Sequence, residues 1–205
     1  TVCTFSSIFT LEKCLQLFIQ RLVKDAEKFA GGQSNPTFKL SAGGNHYVLR
    51  RKPPGKLLPS AHAVDREYKV IAALHKLGLP VPRPFVLCED DSVIGTAFYV
   101  MEFAGGRVFW EPHMPDVTGK DRAGIFDAMN GFMADLHSVN VETAGLGDFG
   151  KPEGYVKRQV EGWSKRYRAA RTPDAPDFEE GMTWLNEKMP PDSDKPGIVH
   201  NDFRF

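Results

Sequence analysis

No apolar run in the sequence approaches the ~20 residues that a membrane-spanning helix needs. An excess of one charge sign is missing too, since 26 Lys and Arg are matched by 26 Asp and Glu. No global field therefore selects nucleic acid or an anionic surface. Cysteine is scarce: Cys3, Cys14 and Cys88 are odd in number and widely spaced. Without CxxC or Cys/His clusters, neither a disulfide framework nor a structural zinc site is expected. Scattered thiols fit a reducing, intracellular compartment but do not choose between cytoplasm, mitochondrion and peroxisome. Repeats and long low-complexity tracts are also lacking. "TVCTFSSIFT" has no acid and no Arg, so it reads as a disordered leader rather than a targeting signal. What is present is ordinary globular composition over 205 residues, enough for one sizeable core shared by two lobes.

Leu11, Leu15, Ile19 and Leu22 recur at helical spacing, which predicts a helix over residues 10–29. Glycine turns then flank a short strand at 36–41. A second strand at 46–51 is stopped by Pro53-Pro54-Gly55, and Gly43-Gly44-Asn45 suits the hairpin between them. Ser60 is placed to cap a helix running to 77, with Val64, Ile71, Leu74 and Leu77 as its stripe and Gly78 as its stop. "PFVLCED" and "AFYVMEF" read as two further strands. Residues 1–29 are thus a leader and helix, and residues 30–103 a small antiparallel lobe with one inserted helix. Ala104-Gly105-Gly106 is a joint to a partial helical lobe, 104–205. In that lobe Ile125, Met129, Phe132, Met133 and Leu136 share a helix face. Val156, Val160, Trp163 and Tyr167 form the stripe of the next helix, expected to face the lobe core and to send Arg158, Lys165 and Arg168 outward as a basic surface. A shorter helix is expected over 178–188, then a terminal strand "IVHND". A cleft between two such lobes is a natural small-molecule site.

The chain closes on "GIVHNDFRF", an apolar strand delivering His200 and Asp202 to a turn, as an active-site loop begins. Together with "GGQSNPTF", "YVLRRKPPGKLLPSAHAVDREY", "CEDDSVIGTAFYVMEF" and "GLGDFG", the chain resembles the aminoglycoside phosphotransferase-like kinases. More narrowly, it resembles the kinase-like domain found alone or fused ahead of acyl-CoA dehydrogenases. The resemblance runs from about Gly31 to Phe205. It implies an α+β, two-lobed protein-kinase-like fold that binds ATP and Mg²⁺ and phosphorylates a hydroxyl of a small molecule, with a hydroxyacyl-CoA the acceptor suggested by the dehydrogenase link. A fused acyl-CoA dehydrogenase in the parent protein would be its partner.

Each implied role has a physical basis. Gly31 and Gly32 let backbone N–H groups approach phosphate oxygens, and Ser34 and Asn35 add polar contacts. Val48 and Arg50 share a strand face, Val48 toward the adenine and Arg50 toward the phosphates. Kinases carry Lys at that position, paired to a helix acid; here Arg keeps the charge and adds a fork, and Glu67 is its natural partner. By resemblance, Glu102 and Phe103 offer backbone groups to the adenine edge and Met101 borders the pocket. Asp202 accepts or orients the acceptor hydroxyl's proton, and His200 props the loop. Asp148-Phe149-Gly150 mimics the kinase magnesium motif, but it precedes Asp202, whereas in kinases that motif follows the catalytic loop. The Mg²⁺ ligands are instead expected beyond Phe205, which makes the chain an inactive fragment of a phosphotransferase cut within its catalytic loop. A non-catalytic, pseudokinase-like nucleotide-binding or scaffold module is the alternative.

Overall fold

Gly43 and Gly44 hold φ angles of 58° and 79°. A two-residue type I′ hairpin demands that positive pair, and glycine adopts it at least cost. In the computed structural model, which describes residues 23–29, 35–55, 62–193, 195–200 and 203, this turn joins β2 (Thr37–Ala42) to β3 (Asn45–Arg51). It fixes the register: Thr37 lies opposite Arg50, Lys39 opposite Val48, and Ser41 opposite His46. With β1 (Val23–Lys28), β4 (Pro84–Cys88) and β5 (Phe98–Glu102) these strands form a five-stranded antiparallel sheet, order β1-β2-β3-β5-β4.

Alternation along the strands separates two faces. Leu40, Leu49, Cys88, Phe98 and Val100 are buried on one, closed over by Phe38, Tyr47, Val86, Val93 and Ile94. The other receives α1 (Val64–Lys76), whose Val64 packs with Ala97 and Tyr99 beside Tyr68, Ile71, Leu87 and Met101. Val64 and Phe98 are fully buried, and each such side chain stabilises the fold by about 1.5–3 kcal/mol.

Helix α1 carries Asp65 and Glu67 in its first turn and His75 and Lys76 in its last, the distribution its dipole favours. It ends at Gly78, φ 81°. The Gly78 N–H donates to the His75 carbonyl at 3.0 Å and the Leu79 N–H to that of Leu74 at 3.1 Å, the paired bonds of a Schellman ending. A Cβ at Gly78 would meet nothing within 4 Å, so Gly78→Ala costs only the left-handed backbone penalty. The expected loss is about 1 kcal/mol, read as a lower urea midpoint at unchanged slope.

Three expectations are corrected. Residues 23–28, read as the end of a helix, are strand β1. Residues 25–28 pair with β2 and are exposed, so edge pairing outweighs the helix propensity of a charged segment; residues 10–22 lie outside the described residues. The residue at the start of α1 is Ala63, which has no capping side chain, and Ser60 also lies outside the described residues. Gly197–His200 are not in a strand.

The chain divides into two compact units, one of residues up to Leu136 with His200 onward, the other His137–Val199. The first includes most of α2 (Gly119–His137), where Leu136 is buried and Ile125, Met129, Phe132 and Met133 are half-buried on the same face. The second holds α3 (Tyr155–Ala170) and α4 (Glu179–Glu187). No described helix is long and apolar enough to cross a membrane.

Candidate functional site

Strand parity puts Thr37, Arg50 and Tyr99 in one cross-strand row on the α1 face of the sheet, and Lys39, Val48 and Met101 in the next. Arg50 and Glu67 meet side-on. Arg50 Nε donates to Glu67 Oε2 at 2.7 Å, and Arg50 Nη2 to Glu67 Oε1 at 3.3 Å. Arg50 Nη1 donates to the Thr37 hydroxyl at 3.1 Å, and that hydroxyl donates to the Asn35 carbonyl. One N–H on each terminal nitrogen of Arg50 remains uncommitted among the described residues.

Glu67 also accepts from Asn35 Nδ2 at 2.9 Å and from the Tyr99 hydroxyl at 3.1 Å. Those four bonds occupy roughly the four acceptor sites of a carboxylate. Glu67 therefore serves as an anchor for Arg50 rather than as a cation ligand. Burial, then the Glu67 charge, pushes the Tyr99 phenol well above its ordinary range. It stays protonated and keeps its donor role across the physiological range.

Asn35 was expected to touch phosphate. Its side chain is instead buried, with its amide nitrogen on Glu67 and its oxygen 2.8 Å from His62 Nδ1. Both ends are taken up inside the protein. Val48 is buried, with Met101 opposite it. The Glu102 N–H donates to the Arg83 carbonyl at 2.8 Å, so of its backbone pair only the carbonyl can serve a base edge. Phe103 stacks on Phe29, with centroids 6.5 Å apart, and Lys39 Nζ stands 5.1 Å above its ring. His200 meets Phe203 edge-on at 5.4 Å, and Phe203 stacks on Phe132 of α2 at 5.7 Å, so His200 rests on an aromatic prop. Gly31, Gly32, Ser34 and Asp202 lie outside the described residues. Sequence reasoning missed Thr37, Lys39, His62 and Tyr99. The Gly43-Gly44 turn was the available signal for Thr37 and Lys39, because it dictates what faces Arg50 and Val48.

The basic surface expected on α3 is largely committed within its own unit. Arg168 makes a two-bond pair with Glu179, at 2.8 and 2.6 Å, and Arg171 pairs with Asp177. Arg158 donates to the carbonyls of Lys151 and Glu153. The hydrogen bonds from Arg168 hold the Glu179 carboxyl below its usual range. The α3 stripe does not bury as expected: Trp163 remains 63 % exposed. Together with Val160, Tyr167, Phe178, Met182 and Leu185 it lines a shallow apolar groove between α3 and α4. Among the described residues no cluster of three or more His, Cys, Asp or Glu could hold a metal ion. Asp148 sits in a turn.

Residues 25–205 match the phosphotransferase enzyme family. The chain is 44 % identical over 195 residues to acyl-CoA dehydrogenase family member 11 of Gallus gallus, covering 94 % of this chain and 25 % of the relative. A crystal structure from Ralstonia eutropha, assigned provisionally as an aminoglycoside phosphotransferase, superposes with a TM-score of 0.78 at 41 % identity, over 93 % of this chain and 57 % of that one. The fold recurs at 15 % identity and a TM-score of 0.53 in the streptomycin–ATP complex of the phosphotransferase APH(2″)-IIa, over 89 % of this chain and 58 % of that one. The chain spans about a quarter of the curated relative's length. With residues 25–205 matched by the family and 44 % identity to a curated relative over 94 % of this chain, the chain belongs to the phosphotransferase enzyme family.

Proposed function

We propose that this chain is the nucleotide-binding portion of an ATP-dependent kinase that phosphorylates a hydroxyl of a hydroxyacyl-CoA. The observation that carries the reading is Arg50, held by Glu67 and Thr37 with, among the described residues, a donor left on each terminal nitrogen. Such a fork suits phosphate oxygens. The acceptor class rests on the relative, which is named as an acyl-CoA dehydrogenase.

Bound ATP would supply the transferable phosphoryl group. Within residues 30–103, Val48 and Met101 would border its base, and the Glu102 carbonyl and the Phe103 backbone would meet its edge. Arg50, with the N–H groups of Gly31 and Gly32 and the Ser34 hydroxyl, would hold its phosphates. In residues 104–205, Asp202 would take the acceptor's proton, and His200 would hold the loop. Among the described residues no group of three or more His, Cys, Asp or Glu could hold a metal ion, and none of them is assigned to Mg²⁺. We further propose that the 205-residue chain by itself transfers negligible phosphate, since the Asn and second Asp that hold Mg²⁺ in kinases follow the catalytic Asp.

The test is transfer of γ-labelled phosphate by the full-length gene product to a panel of hydroxyacyl-CoA thioesters and aminoglycosides. Label on the thioester is expected. Label confined to the aminoglycosides would overturn the acceptor class. Nucleotide binding without transfer to any hydroxyl would favour the scaffold alternative. Robust turnover by the 205-residue chain would overturn its inactivity.

A further inference from the structure

We propose that Asn35 is a positioning residue that sets the Arg50–Glu67 pair for the nucleotide phosphates, with His62 fixing the orientation of its amide. The proposal rests on the nucleotide reading above but assigns Asn35 a different task from phosphate contact.

The hydrogen-bond logic determines the direction of every bond. Ionised Glu67 can only accept, so the Asn35 NH₂ must face it. The Asn35 oxygen then faces His62 Nδ1 at 2.8 Å, and that nitrogen must carry a proton. The result is a directed chain from His62 through Asn35 to Glu67, which in turn holds Arg50. Its geometric effect is a clamp. His62 stands just before α1, Glu67 lies in its first turn, and Asn35 leads into β2. One buried amide thus ties the start of the helix to the strand opposite Arg50. Without it, Glu67 Oε1 would keep only its longer bond to Arg50, at 3.3 Å. The carboxylate could then turn and take the guanidinium with it.

The backbone agrees. His62 has φ +60°, a left-handed conformation that non-glycine residues rarely hold. Its carbonyl accepts from the Val64 N–H at 2.9 Å. Backbone strain of this kind persists where surrounding contacts over-determine it, and it concentrates at functional sites. The Asn35–His62 bond is one such contact.

The experiment measures dissociation constants of ATP with Mg²⁺ and of adenosine by calorimetry, on the full-length protein. Adenosine lacks phosphates and therefore reports an intact base site, whereas ATP also reports Arg50. Asn35→Asp places a second carboxylate against Glu67. It should weaken ATP binding about tenfold at roughly pH 8 and leave adenosine within about twofold. At roughly pH 6 the ATP penalty should shrink, because two carboxyls in contact retain a shared proton that restores a donor. The charged and titratable groups facing that proton are Glu67, Arg50, Tyr99 and His62. His62→Phe, which removes the donor at a half-exposed position, should shift ATP binding in the same direction. His62→Gln keeps a donor and should restore it; both variants share the backbone cost at φ +60°, which cancels in the comparison. Equal losses for ATP and adenosine, or wild-type ATP affinity in Asn35→Asp at both pH values, would overturn the proposal. Failure of the nucleotide reading would look different: the unmodified protein would bind no ATP, or Arg50→Ala would leave ATP affinity unchanged.

Discussion

Arg50→Lys in the full-length protein is expected to lower kcat/KM for ATP about tenfold, and Arg50→Ala about a hundredfold. Kinases that carry Lys at this position use a point charge, and the substitution looks conservative on charge alone. The site is built around a fork. Nε and Nη2 grip both oxygens of Glu67, and Nη1 reaches Thr37. A single ammonium could satisfy the carboxylate or reach a phosphate, but it could not also hold the Thr37 hydroxyl that ties back to the Asn35 carbonyl. The Arg50 and Glu67 side chains are 27 % and 33 % exposed. The pair's share of stability should therefore be small, about 1 kcal/mol or less, and the loss should appear in kinetics rather than in folding. Steady-state rates against ATP, with thermal midpoints alongside, separate the two. A Lys variant as fast as the wild type would show that the fork is not used.

Asp202→Asn is expected to remove transfer by a factor of about 10²–10⁴ while leaving ATP affinity intact. The amide keeps the size of the carboxylate but cannot accept the acceptor hydroxyl's proton. Because Asp202 lies outside the described residues, this expectation rests on the sequence motif together with its neighbours. His200 and Phe203 flank it in sequence; they meet edge-on, and Phe203 stacks on Phe132 of α2. Single-turnover transfer and nucleotide affinity measured on the same variant would decide the matter. Retained transfer would place proton acceptance on another group, and a parallel loss of ATP binding would make Asp202 part of the nucleotide site instead.

Much of the small lobe was determined by the sequence itself, because its signals are local. Gly43-Gly44 dictates a hairpin, the hairpin dictates register, and register puts Val48 and Arg50 on one face with Thr37 and Lys39 across from them. Gly78 ends α1 for the same kind of reason, and 3.6-residue spacing was enough to find the buried face of α2. Only the tertiary structure could decide the rest. Residues 23–28 carry no strong strand signature and become β1 because β2 offers an unpaired edge. Trp163 stands exposed although its spacing marked it for a core, since spacing defines a face without saying what covers it. Arg168 pairs with Glu179 across a helix boundary that no periodicity predicts. Above all, Asn35, His62, Glu67 and Tyr99 converge from three separate segments. A buried polar group takes whatever partner the fold brings near it, and that choice is made in three dimensions.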